Sequence, residues 1–113
     1  MKARYVQRGD AIDYTPMEDV AAGDVVALSG KLVGVAKLDI KAGELGALAR
    51  VGVYEFAKAE GIAFAAGMEV GWNPTNGEAV AAGTSGSVKI GHAIALTGAT
   101  DKSVLVRLAQ GLG

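Results

Sequence analysis

The sequence predicts an all-β fold: a small β-barrel or sandwich of short antiparallel strands in one domain, with at most one or two short helical turns. Three observations lead there. Glycine recurs along the whole chain, 17 times in 113 residues, and each glycine inside a helix costs ~1 kcal/mol relative to alanine. Short runs rich in Val, Leu, Ile and Tyr alternate with Gly and Asn-Gly punctuation, the pattern of strands and tight turns. The third observation is a phrase used three times. "VAAGDVV" opens at Val20, "IKAGELG" at Ile40 and "FAAGMEV" at Phe64. Each copy sets a large apolar anchor two small or polar residues ahead of a glycine, and an apolar pattern then resumes.

The elements follow in order. Strands are expected at residues 3–7, 11–14, 25–29, 32–36, 47–51, 53–58, 69–72, 78–82, 89–96 and 103–108. The best helical stretch, 56–66, is divided by Gly61 and should hold no more than a turn or two. Ser29-Gly30 suits a tight hairpin. "NPTNG" is the clearest turn: Pro74 presets φ, and Asn76 and Gly77 tolerate positive φ. Gly23, Gly43 and Gly67 close the repeated phrase, where glycine's freedom to take a left-handed φ lets the chain bend back into a sheet. Their spacing hints at a solenoid, but the units between them do not match. A barrel that reuses one turn at its corners is the simpler expectation. Near the C-terminus, alternation puts Ile90, His92, Ile94 and Leu96 on one face and Gly91, Ala93 and Ala95 on the other. Val104, Val106 and Leu108 share a face opposite Arg107.

Composition narrows the function. Hydrophobic residues make up 50% and charged residues 20% of the chain, a folded composition. Alanine and glycine supply about a third of it. Such a core is thin in buried area. It is either reinforced by partners or packed closely because small residues let strands approach. The net charge of −1 offers no basic excess for nucleic acid. The absence of cysteine excludes disulfides and thiolate metal sites. No apolar run reaches the ~20 residues of a membrane span, and the polar opening "MKARYVQRGD" is no signal peptide, so synthesis in a cytoplasm and no membrane partner are expected.

No reactive constellation stands out. "GTSGSVKIG" lacks the Gly-Lys-Ser/Thr of a phosphate loop. His92 is the single histidine and reads as a core or interface residue, too isolated for a zinc site or a general base. Glu18, Asp19 and Asp24 cluster in sequence, as a weak divalent site or as solvation of a turn. "TDKSV" faintly resembles a lipoyl-lysine hairpin, but Lys102 lies near the C-terminus and not between two similar halves. No catalytic residue, cofactor or metal is expected. Two features suit contact. The segment 1–9 is a first strand or an arm, and Lys2, Arg4, Tyr5 and Arg8 make it basic and aromatic. Trp72, the lone tryptophan, is a core plug or a subunit anchor.

Several stretches carry a resemblance that covers almost the whole chain. "IDYTP" (12–16), "AAGDVV" (21–26) and "KAGELGALA" (41–49) are the most specific, with "VGWNPTNGEAV", "IGHAIAL" and "VLVRL" beyond them. Together they resemble a family of tailed-phage capsid cement, or head decoration, proteins. Members have often carried a label as RecA-like recombinases. The missing phosphate loop, the neutral charge and the short chain argue against that label here. The resemblance implies a non-enzymatic structural protein on the outer capsid surface of the virion. It would stabilise the expanded head by bridging major capsid protein subunits, as a homotrimer without nucleic acid. A β-module of a phage tail or baseplate is the alternative, with a recombination-related enzyme behind it.

Overall fold

The computed structural model describes residues 2–5, 9–29 and 31–109. Among these residues there is no helix and there are nine strands: β1 (Ala11–Tyr14), β2 (Val25–Leu28), β3 (Leu32–Ala36), β4 (Gly46–Ala49), β5 (Gly52–Ala57), β6 (Glu69–Asn73), β7 (Glu78–Ala81), β8 (Val88–Ala93) and β9 (Ser103–Leu108). They form two antiparallel sheets, ordered β1-β4-β3-β2 and β5-β9-β8-β6-β7. The arrangement is sandwich-like, and the sheets do not close into a barrel. One bridge, Lys58↔Ala79, ties the end of β5 to the far edge β7, so the second sheet curls. The expected strand at 3–7 does not form over residues 2–5, and Val6 and Gln7 lie outside the described residues. In the 28–31 hairpin Ser29 takes a φ of 54° and Lys31 N donates to Leu28 O at 3.0 Å; Gly30 lies outside the described residues.

The two sheets share one connectivity. In the first, β1 pairs β4, β4 pairs β3 and β3 pairs β2. In the second, β5 pairs β9, β9 pairs β8 and β8 pairs β6. The hairpin that carries β7, residues 73–87, is the addition. Hydrogen bonds fix the correspondence residue by residue. Gly23 N donates to Ala36 O at 2.7 Å and Ala36 N to Asp24 O at 3.0 Å. Likewise Gly67 N donates to Ala93 O at 2.7 Å and Ala93 N to Met68 O at 2.8 Å. Ala36 and Ala93 are therefore twins. Sheet register then makes Leu48 the twin of Val106, and "AIDY" of β1 the twin of "VYEF" (53–56) in β5. The chain is a duplicated four-stranded unit. It is neither a solenoid nor a barrel with a reused corner.

The repeated phrase is the hinge of each unit. Val20 and Ile40 face each other and exchange both backbone hydrogen bonds at 2.8 Å. Phe64 exchanges the same pair with Thr97, at 3.0 and 2.8 Å. Thr97 thus begins a fourth copy, "TGATD", whose glycine has moved. In the first three copies an i to i+3 hydrogen bond of 3.0 Å closes a turn (21–24, 41–44, 65–68). Gly23, Gly43 and Gly67 sit third in those turns with φ of 92°, 79° and 87°, the geometry of a type II turn. In the fourth copy Thr100 stands where the glycine would be, and Asp101 N still donates to Gly98 O at 3.1 Å.

The core lies inside the second unit. Phe56, Phe64, Val70, Trp72, Ile90, Val104, Val106 and Leu108 pack together, with Val33 and Val35 entering from the first sheet. Burial of such side chains contributes ~1.5–3 kcal/mol each. Trp72 is a core residue, edge-to-face on Phe56 with ring centres 5.6 Å apart. Val104, Val106 and Leu108 point inward and Arg107 outward, as their alternation predicts. In β8 the alternation fails. The register with β6 shifts between Val70 and Gly71, leaving Ile90 as an extra residue of a bulge. Ile90 is buried, but beyond it Gly91 and Ala93 face the core, and Ile94 and Leu96 are exposed.

Candidate functional site

The residues singled out in the sequence scatter over the molecule. Lys2, Arg4 and Tyr5 are exposed, and Arg8 lies outside the described residues. Gly77 has a φ of 69°; Asn76 does not take a positive φ, since Ser29 is the one described non-glycine residue that does. The turn is instead ordered by Asn73, whose Oδ1 accepts from Thr75 N at 3.0 Å and Asn76 N at 3.2 Å. Gly77 N closes it on Asn73 O at 2.8 Å.

The early carboxylates serve the turns. Asp19 Oδ1 accepts from Ala42 N at 2.9 Å, and Asp39 Oδ1 accepts from Ala22 N at 2.8 Å. Each acid precedes one anchor and caps the turn that follows the other. Asp24 Oδ2 accepts from Ala21 N at 3.0 Å, and its fourth-copy counterpart Asp101 accepts from Gly98 N at 2.8 Å. No group of three His, Asp or Glu that could hold a metal occurs among the described residues. Lys58 is buried, and its Nζ donates to the carbonyls of Ala59 and Ile62 at 2.9 and 2.5 Å. It ties the 59–62 segment to the end of β5.

Two surface features gather large apolar side chains, and sequence reasoning missed both. The first is a groove of about 550 Å³ on the first sheet. Its floor is Ala11, Ala47 and Ala49, small residues of β1 and β4 that share one face of the sheet. Leu38, Leu45 and Val51 stand at its sides, with Leu38 77% and Leu45 71% exposed. Asp10, Asp39, Glu44 and Lys37 complete the lining.

The second feature is a stripe on the outer face of the second sheet. Ile94 N donates to Leu105 O at 3.1 Å, which continues the β8–β9 register and sets these two side by side. Val53 lies diagonal to Leu105 across the β5–β9 pair, within reach for large side chains. Leu96, two residues past Ile94, is 81% exposed. His92 and Arg107 flank the stripe as a cross-strand pair. The signal that would have revealed it is a comparison of "AKLDIKAGE" with "AIALTGATD". Lys37 and Asp39 of the first copy become Ile94 and Leu96 in the second.

The described residues thus present hydrogen-bonded turns and two exposed apolar features. Comparison with curated proteins and with solved structures gives no significant match. The family model for phage cement proteins matches residues 6–108, nearly the whole chain, and the chain belongs to that family, a family of structural proteins of the phage capsid.

Proposed function

We propose that the protein binds the outer surface of the expanded phage head and bridges neighbouring major capsid protein subunits. It is made in the host cytoplasm and acts without catalysis, as a homotrimer. The family match over residues 6–108 carries this reading. The physical mechanism is linkage. A protein that binds the assembled lattice and not the dissociated subunits stabilises the lattice by its binding free energy. Copies that each touch more than one subunit gain further through multivalency.

The exposed segment with Lys2, Arg4 and Tyr5, continued by Arg8, is proposed as one capsid contact. Side chains of that kind can order on a partner surface or add to its sheet. The test is co-sedimentation with purified expanded heads, tails and dissociated capsid subunits. The expected result is saturable binding to heads alone and DNA release from decorated heads at a higher temperature. Removal of residues 1–8 should abolish decoration and leave the circular dichroism spectrum unchanged. Binding to tails in place of heads would assign the chain to the tail. Full head occupancy without residues 1–8 would remove the segment from the contact.

A further inference from the structure

The groove and the stripe occupy the same place on the two duplicated units. From the register, Ala11, Ala47 and Ala49 of the groove floor are the twins of Val53, Leu105 and Arg107. Lys37 and Asp39 at the groove's side are the twins of Ile94 and Leu96. One surface has thus been made twice. It is hollow at Ala11 and Ala47, where the second unit has Val53 and Leu105, and Ile94 and Leu96 stand in place of the charged Lys37 and Asp39. Leu96 shows that the raised version is not a demand of the fold. Its twin Asp39 caps a turn N–H at 2.8 Å, whereas Leu96 leaves four-fifths of its surface in water.

We infer that the stripe of one copy (Ile94, Leu96, Leu105, Val53) seats in the groove of a second copy of this chain. An apolar stripe suits an apolar groove, and the charge at Arg107 favours the pairing. The groove is lined by the carboxylates of Asp39 and Glu44 as well as by Lys37. Beside the stripe, Glu69 lies 3.5 Å from Lys89, and Glu55, opposite Leu105, keeps its charge while it accepts a hydrogen bond from Ser103 at 2.8 Å. Arg107 has no ion-pair partner among the described residues and is left to face the acidic groove. In the trimer proposed above the contact is heterologous. Each copy gives its stripe to one neighbour and its groove to the next, and a ring forms where the rotation closes. This rests on the self-assembly part of the function proposed above and supplies its contact. It does not depend on which surface the assembly decorates.

Sedimentation velocity on two variants and their mixture tests it. One breaks the stripe (Leu96→Asp with Leu105→Lys), the other the groove (Leu38→Asp with Leu45→Asp). All four residues are exposed, and circular dichroism checks that each variant folds. Wild type should assemble, and each variant alone should associate at least ~100-fold more weakly, the size expected for loss of central apolar anchors. The mixture should give a 1:1 heterodimer, because one intact stripe and one intact groove remain. That recovery also shows that both variants are folded. Variants that assemble like wild type, or a mixture that stays monomeric, overturn the contact and leave capsid binding standing. Wild type that stays monomeric to millimolar concentration overturns the contact and the self-assembly together. Wild type that assembles through the contact yet ignores purified heads would instead overturn the capsid reading alone.

Discussion

In the second unit the face bearing Phe56, Val70 and Val106 is the centre of the core. In the first unit the twin face bears Tyr14, Val26 and Leu48, and there only Ala36, Ile40 and Leu48 are fully buried. Tyr14, Val26, Ile12 and Leu28 are half-exposed. The difference traces to the added hairpin 73–87. It supplies β7, and the bridge from Ala79 to Lys58 curls the second sheet round its own side chains. The first sheet has no such strand and stays open. It gains its stability from the opposite face, where Val33 and Val35 join the second unit's core. A duplicated unit can therefore keep its turns and pairing while its two copies take unequal shares of the burial.

The largest test of this asymmetry uses twin glycines. Gly34 and Gly91 hold equivalent places in β3 and β8. A Cβ at Gly91 would lie 1.9 Å from Arg107 O and 2.9 Å from its carbonyl carbon, both backbone atoms that cannot move aside. At Gly34 the obstruction is Leu48 Cβ at 2.7 Å. Gly91→Ala should lose more than ~4 kcal/mol or fail to fold, in the range kept for exceptional sites. Gly34→Ala should cost ~1–3 kcal/mol, as overpacking usually does. Urea denaturation measures both, and the reverse order would break the claim that the second unit holds the tighter frame.

The twin anchors come next. Phe64 is fully buried in the main core, whereas Val20 is only partly covered. Phe64→Ala should cost ~3–5 kcal/mol. Val20→Ala should cost ~1 kcal/mol, because part of its surface is already wet. Equal losses would mean that the first unit's small cluster is as consolidated as the core.

How far the sequence discloses this architecture depends on where the information sits. Strands β1, β3 and β9 are readable to the residue, because each is a short β-prone run with turn-forming or charged residues beside it. The left-handed glycines of the first three phrases are readable from spacing alone. The pairing of those phrases is not. Val20 meets Ile40 through backbone groups that every residue carries, and Thr97 meets Phe64 although "TGATD" has lost the signal glycine. The duplication is hidden for the same reason. "AIDY" and "VYEF" share a polarity pattern and no residue in register, and the β7 hairpin displaces everything after it. The β8 bulge shows another limit: one extra residue reverses the faces beyond it, so Ile94 and Leu96, core residues by alternation, stand in solvent. With them the stripe escapes notice, because an exposed apolar run reads as core until the register is known.

Twin turns sharpen the comparison from the other side, because here the units should agree. Gly23 and Gly67 have φ of 92° and 87°, and a Cβ at either would meet nothing within 4 Å. Alanine at each should therefore cost the same ~1–2 kcal/mol, the penalty of a left-handed L-residue. Thermal denaturation of the two single variants checks it. A difference above ~1 kcal/mol would show that the turns are not mechanically equivalent despite their matching hydrogen bonds.

The smallest effect discriminates most finely between fold and contact. If Leu96 stands where Asp39 stands, Leu96→Asp places a carboxylate beside the N–H of Ala66, the twin of Ala22. A side-chain cap of that kind is worth ~0.5–2 kcal/mol where it forms well, and Leu96 has little burial to lose. The substitution should leave stability unchanged or raise it by up to ~0.5 kcal/mol, a discounted value for an exposed cap. The converse change, Asp39→Leu, removes a bond of 2.8 Å and should cost ~1 kcal/mol. Urea denaturation at low protein concentration, where copies do not meet, separates this from assembly. A loss of more than ~1 kcal/mol for Leu96→Asp, the cost of a typical harmful substitution, would mean that Leu96 supports its own fold. The leucine would then need no neighbour to explain it, and the divergence of the two twin surfaces would lose its functional meaning.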